Sequence, residues 1–360
     1  MINSKADLVI SRRDFGFGAA LLGLSALSLT ACDNRKTQDS KPETDANTKA
    51  GIATGEKKVS GSTFAFDTLI TLFTYGGQEI IDACIDKINH FGKILSSHAE
   101  GSDCWNINHA EGEPTKVHPD TVRCIKDSLE YCKKTNGIFD ITVGSVSLLW
   151  DFVKGKKPSD DEIQEGLKHI DYKKVNIIDD ETIQLLDPHA ALDLGGCAKG
   201  WIANELAKIY RDAGATGIIN LGGNVYCVGS KPDGSPYKVA IVDPNDPKGD
   251  YLMVVECADV SVVTSGLYER FFEQDGKKYY HILDIKTGYP AQTDLLADTV
   301  IGSSSLECDC YSTTLFIMGS SNANKFVTAA KDVEGFFVPK DNKYFFTSSF
   351  EEKYPYKFNK

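Results

Sequence analysis

The spacing of apolar residues predicts helices in the first half of the chain. They recur every three to four positions from Ile80 to Leu95 and again from Val122 to Cys132, which predicts two helices that each bury one face. The second helix should end near Gly137, because glycine is common just past a helix end. Partly alternating apolar residues at 64–75 predict one strand before the first helix.

Later segments add further helices and many strands. Ser159 and Glu162 have the spacing of a capping box, which predicts a short helix to about His169. A glycine-rich turn at 195–200 leads into an amphipathic helix that ends before Gly214, and another helix should cover 308–318. Further strands are predicted at 175–178, 182–186, 217–221, 237–242, 252–257, 260–264, 279–283, 298–302, 335–339 and 344–347. Strands and helices do not alternate strictly and no repeat is visible, so we predict a single mixed α/β (α+β) domain at 61–360.

The first 32 residues are typical of a signal peptide. Arg12 and Arg13 precede an apolar stretch at 15–31 that is too short and too rich in small residues for a membrane span. Residues 11–15 are similar to a twin-arginine motif, and residues 29–32 to a lipobox in which Cys32 is lipidated. An unprocessed anchor helix is the alternative. Residues 33–60 lack aromatic side chains and predict a flexible tether.

Charge and cysteine content narrow the class of protein. The net charge of -12, from 51 acidic and 39 basic residues, argues against nucleic-acid binding, which needs a basic surface. Without Cys32, nine of the ten cysteines remain, so at least one cannot pair within the chain. There is no Cys-x-x-Cys motif. Buried reduced thiols are favoured over a disulfide framework, which stays open.

Three segments could carry chemistry. The turn at 195–200 opens a helix, and its backbone amides together with Lys199 suit a phosphate, although for this turn taken alone a plain helix start with a surface lysine is favoured. Asp309 and Thr313 lie one helical turn apart and suit magnesium, or Asp309 simply favours the helix dipole. His281, in a predicted strand, is either a proton acceptor or a hydrogen-bonded core residue.

The order of these segments resembles the ApbE family of FAD:protein FMN transferases, bacterial flavin-handling lipoproteins, from about Thr63 to Gly319. The resemblance implies a fold of the ApbE, T-fold-like type. The matching segments are 66–68, 97–108, 137–144, 192–200, 220–224, 264–266, 281–290 and 309–313.

The resemblance also implies roles for individual residues. Magnesium would be held by the carbonyl of Gly196 and the side chains of Asp309 and Thr313, and His281 would be the general base. The implied contacts of FAD are Phe66, His98, Ile138, Phe139, Asp140, Asp193, Lys199 and Leu283.

The implied reaction moves FMN from FAD to a serine or threonine hydroxyl of an acceptor protein and releases AMP. The implied acceptors are flavin-carrying subunits of membrane redox complexes, and the enzyme would be lipid-anchored outside the cytoplasm, in the periplasm or on the outer face of the membrane. Two alternatives remain open, an FAD pyrophosphatase that yields free FMN and AMP, and a flavin-binding lipoprotein without catalysis.

The chain departs from the family pattern at several positions near these residues. Tyr280 stands where a second histidine is common, Asn204 where an acidic residue is frequent, and His98 where tyrosine is frequent. Ile285 replaces a usual proline. Cysteines 308 and 310 flank Asp309, and a thiol near magnesium predicts sensitivity to oxidants.

Overall fold

The first strand of the described residues begins close to the predicted tether boundary. The computed structural model describes residues 58–359, and its first strand starts at Val59, two residues before the boundary expected at 61. The predicted signal peptide, Cys32 and most of the predicted tether lie outside the described residues.

Helices and strands alternate irregularly along the described chain. Its helices are α1 Gln78–Ile94, α2 Asp103–Asn108, α3 Pro119–Lys134, α4 Gly144–Ser147, α5 Asp160–Leu167, α6 Ala198–Asp212, α7 Ser305–Met318, α8 Ser320–Ala330 and α9 Phe350–Lys353. Its strands are β1 Val59–Ala65, β2 Thr68–Thr74, β3 Thr115–Lys116, β4 Val175–Asp179, β5 Thr182–Leu185, β6 Gly217–Asn220, β7 Asn224–Val228, β8 Tyr237–Val242, β9 Tyr251–Cys257, β10 Val260–Gly266, β11 Phe271–Gln274, β12 Lys277–Tyr280, β13 Leu283–Asp284, β14 Tyr289–Pro290, β15 Leu295–Gly302, β16 Val333–Pro339, β17 Phe345–Phe346 and β18 Tyr356–Phe358.

An eight-stranded sheet forms the centre of the molecule. Its strand order is β1-β2-β6-β7-β10-β15-β16-β17, and every neighbouring pair is antiparallel. The order brings β7 beside β10 although more than thirty residues separate the two strands in the chain. An antiparallel sheet with helices packed on it is the α+β arrangement that the sequence predicts.

Both faces of the sheet are covered. On one face, side chains such as Phe73, Val262 and Phe336 pack against β8 and β9, which pair with β18 in a three-stranded sheet. On the other face, Ile70 and Leu72 pack against apolar side chains of α1 and α6, while α7 and α8 cover β10, β15 and β16. The core between the sheet and the helices therefore fixes the relative positions of α6 and α7.

Most predicted elements are confirmed, with differences at the turns. The Ser159–Glu162 capping box is formed, and both helices predicted from apolar spacing are present as α1 and α3. The single strand predicted at 64–75 is wrong: β1 and β2 form a hairpin whose turn residues Phe66 and Asp67 have φ of 52° and 57°. Glycine or asparagine usually marks such a turn, and neither is present here.

The structure also bears on the cysteines. The nine cysteines of the described residues are all free and buried, in agreement with the favoured interpretation of the sequence. Among residues 58–359, no helix is both long enough and apolar enough to cross a membrane.

Candidate functional site

The glycine-rich turn before α6 is held in shape by Asp193. Its Oδ1 accepts a hydrogen bond from the amide of Gly195 (2.9 Å), and its Oδ2 accepts one from Ser147 Oγ (2.6 Å). The N-cap residue of α6, Cys197, makes no capping bond with its side chain. The Asp193 carboxylate therefore organises the turn through protein partners, and its implied contact with FAD stays a prediction.

Helices α6 and α7 approach each other closely at Gly200. The Gly200 amide donates to Oδ2 of the buried Asp309 (2.7 Å), 109 positions away in the sequence. A Cβ at Gly200 would lie 2.4 Å from the carbonyl oxygen of Ser305 and 2.7 Å from Cβ of Asp309. Only a residue without a side chain allows this approach, so the glycine positions Asp309 at the start of α6.

The other two predicted metal ligands lie at the same place. A Cβ built on Gly196 would lie 3.5 Å from Oγ1 of Thr313 and 3.1 Å from the ring of Phe139. Thr313 is one turn after Asp309 on α7. The structure therefore brings Gly196, Asp309 and Thr313 together, and places the predicted FAD contact Phe139 against them.

Four charged or titratable side chains interact with one another at the contact between α6 and α7. Burial raises the pKa of Asp309 to about 6, and the nearby Lys199 and Glu269 act on it in opposite directions. The same two charges act on His281, whose pKa is lowered mainly by burial. Lys199, Glu269, His281 and Asp309 thus form one electrostatic group, although they come from different parts of the chain.

His281 does not lie in a strand, as the sequence predicts, but in the bend between β12 and β13. Its amide donates to the carbonyl of Arg270 (3.2 Å), and its Nδ1 lies 3.3 Å from the same oxygen. With the proton on Nδ1, the lone pair of the ring is on Nε2. The half-buried His281 ring is therefore oriented by the Arg270 carbonyl, which lies opposite it across the β11–β12 hairpin.

The turn between β6 and β7 adds backbone and an amide to the site. Gly222 and Gly223 have φ of 69° and 102°, which glycine adopts readily, and a Cβ on Gly223 would lie 3.2 Å from Oε1 of Glu269. The buried Asn224 lowers the pKa of Asp309, yet its Nδ2 has no well-formed hydrogen bond among the described residues. This amide therefore remains available to another group.

Asp140 is held by the protein in the same way as Asp193. Its carboxylate accepts from the amide and hydroxyl of Thr142 (2.8 and 2.6 Å) and from the amide of Tyr172 (3.0 Å). Burial raises its pKa. These bonds shape the loop that carries Phe139, and the implied contact of Asp140 with FAD is not tested by them.

The remaining predicted FAD contacts lie in different surroundings. Ile138 lines a cleft of about 250 Å³ together with Asp284 and Met318, while the neighbouring Leu283 is buried. Phe66 lies in the β1–β2 turn, where its carbonyl is 3.5 Å from the Arg270 guanidinium. His98 is exposed after α1, and its role stays a prediction.

The residues at the α6–α7 contact fit a magnesium ion. Asp309 supplies a buried carboxylate with no cation in salt-bridge contact among the described residues, and Thr313 supplies a hydroxyl. Hard oxygen ligands of this kind suit magnesium, which commonly completes its shell with water and phosphate oxygens. The raised pKa of Asp309 has burial as its main cause, and a bound cation would offset that cost.

The cysteines beside Asp309 do not support the predicted sensitivity to oxidants. Cys308 and Cys310 are both fully buried, and burial raises the pKa of each thiol well above its ordinary value. Oxidation requires a thiol that is both accessible to solvent and deprotonated, and these two thiols are neither.

Sequence reasoning missed Glu269 and undervalued Asn204. Glu269 lies just after the matching segment 264–266, and only its distance to Gly223 and its effect on His281 single it out. Asn204 bridges α6 to the start of α7: its Nδ2 donates to Ser304 Oγ (3.2 Å) and its Oδ1 accepts from the Ser305 amide (2.8 Å). An acidic residue at this position could not donate the first of these bonds.

Comparisons with known proteins agree with this architecture. The ApbE family profile matches residues 66–337. An FAD:protein FMN transferase of Klebsiella pneumoniae is 32% identical over 76% of this chain and 86% of its own length, and one of Treponema pallidum is 29% identical over 69% and 74%. The crystal structure of the ApbE protein of Thermotoga maritima superposes with a TM-score of 0.76 at 29% identity, covering 82% of this chain and 99% of that one. This chain belongs to the ApbE family.

Proposed function

We propose that this protein is an FAD:protein FMN transferase that moves FMN from FAD to a serine or threonine hydroxyl of an acceptor protein. The observation that carries the proposal is the convergence of Asp309, Thr313 and Gly196 beside Lys199 and His281. This arrangement combines oxygen ligands for a metal, a positive charge for a diphosphate and a proton acceptor. The names of the curated relatives support the same activity.

Gly196, Asp309 and Thr313 would hold the magnesium ion, whose chemistry there is to neutralise charge on the diphosphate oxygens of FAD. The buried carboxylate of Asp309 keeps its place through the Gly200 amide. Lys199, at the start of α6, adds a second positive charge on the same side. Phosphoryl transfer depends mainly on such positioning and charge compensation.

His281 would accept the proton of the acceptor hydroxyl at Nε2. Its Nδ1 lies against the Arg270 carbonyl, which leaves Nε2 as the basic nitrogen. Burial lowers the pKa of His281, so the ring is neutral and able to accept a proton at pH 7. Glu269 then stabilises the imidazolium, because its negative charge raises the same pKa.

The transfer forms one bond to phosphorus and breaks another. The acceptor oxygen forms a bond to the phosphorus on the FMN side of the diphosphate, and its proton passes to His281. The phosphoanhydride bond breaks, and AMP leaves with the bridging oxygen. The product is a phosphoester between FMN and the acceptor side chain.

The test is to incubate the purified full chain with FAD, magnesium and a flavin-carrying subunit of a membrane redox complex. We expect the acceptor to gain the mass of an FMN group, AMP to appear in equal amount, and EDTA to abolish both. Replacing the acceptor's modified serine or threonine with alanine is the matched control. An acceptor of unchanged mass, with FAD consumed, would contradict transfer.

The same experiment separates the alternatives. An FAD pyrophosphatase would release free FMN and AMP at the same rate without acceptor. A flavin-binding lipoprotein without catalysis would leave FAD intact after prolonged incubation with magnesium.

We further propose that the protein works outside the cytoplasm, anchored to the membrane by lipid at Cys32. The proposal depends on the sequence of residues 1–32. Labelled fatty acid should be incorporated into the parent chain and not into a Cys32→Ala variant, which should leave the membrane fraction. Equal labelling of both chains would contradict the anchor.

A further inference from the structure

A group of possible metal ligands lies away from the proposed FAD site, at the N-terminus of α3. His90 on α1 faces His118 and Asp120, which are the N-cap and the second residue of α3. Among residues 58–359, this is the one group of three histidine, cysteine or acidic residues whose ligand atoms all lie within 4.8 Å of one another.

The distances within this group are close to those of a zinc site. His90 Nε2 lies 3.3 Å and His118 Nδ1 lies 3.8 Å from Oδ2 of Asp120. Ligand atoms on a tetrahedral zinc ion with bonds of 2.0–2.2 Å are about 3.3 Å apart. His118 is exposed and can turn its ring, so small side-chain rotations would complete the geometry.

The two oxygens of the Asp120 carboxylate have different partners. Its Oδ1 accepts from the Arg123 guanidinium, which also binds Glu205 on α6 (3.1 Å). Its Oδ2 faces the two imidazoles. Ligating carboxylates commonly have this kind of supporting hydrogen bond on the second oxygen.

The backbone around His118 is also fixed. Its amide donates to Oδ2 of Asp103 (2.9 Å), which accepts from the Thr121 hydroxyl as well (2.6 Å). The backbone that carries the His118 ring is therefore held in place by the protein before any ion binds.

We propose that His90, His118 and Asp120 bind a divalent transition-metal ion, of which Zn²⁺ fits best, at a site separate from the proposed magnesium site. Two imidazoles and one carboxylate suit zinc, whereas magnesium prefers oxygen ligands alone. Asp120 is at the start of α3, and the predicted FAD contacts at 138–140 follow its end, about 24 Å along a 16-residue helix.

Two internal contacts compete with the ion. Lys87 Nζ lies 3.3 Å from Oδ2 of Asp120, and the Asp120 amide donates to Nδ1 of His118 (3.0 Å). Lys87 is partly exposed, so its amine can move away from Asp120 into solvent. It can do so while it stays near the Phe91 ring, whose centroid lies 5.0 Å from Nζ. Removing the Lys87 amine should therefore tighten zinc binding, an effect that an ordinary salt-bridge cluster does not predict.

The test is to strip the purified full chain with EDTA, remove the chelator, and titrate ZnCl₂ by calorimetry while following the melting temperature. We expect one saturable site that raises the melting temperature. Binding should weaken at least about tenfold in His90→Gln and in His118→Asn, which keeps an N-cap acceptor, and should tighten in Lys87→Met. His109→Gln, at an exposed histidine after α2, is the control and should bind like the parent.

Circular dichroism of each variant without metal shows whether it is folded. The proposal is overturned if the parent has no saturable zinc site, if folded His90 and His118 variants bind like the parent, or if Lys87→Met does not bind more tightly. Binding to cysteine thiols would show itself as zinc affinity that both histidine variants retain.

Discussion

The backbone amide of Gly200 on α6 lies 2.7 Å from Oδ2 of Asp309 on α7. This bond joins the glycine-rich turn to the helix that carries the predicted metal ligands Asp309 and Thr313. Because a Cβ at Gly200 would meet the Ser305 carbonyl at 2.4 Å, the two helices can adopt this distance only with glycine here.

Gly200→Ala should separate α6 from α7. The added methyl group contacts backbone, which cannot rotate away, so we expect a loss of about 1–3 kcal/mol in the free energy of unfolding and a loss of transfer activity. Chemical denaturation and the FMN transfer assay measure the two effects. Gly92→Ala on α1 is the control: its Cβ meets only the Phe66 ring at 4.0 Å, so it should gain about 0.5–1 kcal/mol. Equal stability of the two variants would contradict the close contact.

Asp309→Asn should abolish magnesium binding while the fold is kept. Asparagine still accepts the Gly200 hydrogen bond but carries no charge, and without metal the variant should be at least as stable as the parent, because a buried charge is removed. The measurement is the rise in melting temperature that magnesium produces in the presence of FAD.

Thr313 offers a matched pair for the same ion. Thr313→Val removes the hydroxyl at nearly constant volume and should lose the magnesium effect, whereas Thr313→Ser keeps it. A magnesium effect of parental size in Thr313→Val would exclude this hydroxyl as a ligand.

His281→Gln should reduce the rate of FMN transfer by about 10²- to 10⁴-fold while FAD binding is unchanged, since the group would act only on the acceptor proton. The base is active when neutral, and burial lowers its pKa. Activity of the parent should therefore be full at pH 7 and fall on the acid side through a pKa below the ordinary value of about 6.5. The variant should lack this acid limb; if it keeps the limb, another group is the base.

Asp298→Val should stabilise the protein at pH 7. Asp298 on β15 is fully buried, neither carboxylate oxygen has a hydrogen-bond partner among the described residues, and burial raises its pKa well above the ordinary value. The folded state thus holds a proton that the unfolded chain releases, so stability falls as pH rises above about 4. We expect a gain of about 1–3 kcal/mol in the free energy of unfolding.

Asp298→Asn is the matched control for that substitution. It should remove the pH dependence, as valine does, but keep an unsatisfied buried amide and gain less stability at pH 7. Denaturation curves between pH 4 and pH 8 separate the two effects. A valine variant less stable than the parent would show that an undetected partner satisfies Asp298.

Local patterns in the sequence predicted the elements of the site but not their contacts. Helical spacing placed Asp309 and Thr313 on one face, and the glycine-rich turn correctly marked the start of α6. The Gly200–Asp309 bond spans 109 positions and follows from the packing of α6 and α7 on the sheet, which no local pattern records.

The surroundings of the acidic residues Glu269 and Asp298 likewise do not follow from local sequence patterns. The sequence shows both as ordinary acidic residues near strands. Only the folded chain places Glu269 beside Gly223 and His281, and only the packing around β15 buries Asp298 completely. His281 differs from its prediction because β12 ends at Tyr280, where the chain bends toward β13.

The proposed base and the proposed metal ligands are built on different kinds of support. Asp309 and Thr313 belong to a helix packed on the central sheet, whereas His281 lies between two separate two-stranded hairpins. The second hairpin is held by Trp150, whose Nε1 donates to the Gly288 carbonyl (3.2 Å). Hairpins at the periphery tolerate changes of length and sequence better than core helices do. Substitutions in the two hairpins can therefore change the surroundings of His281 while the α6–α7 pair keeps its geometry.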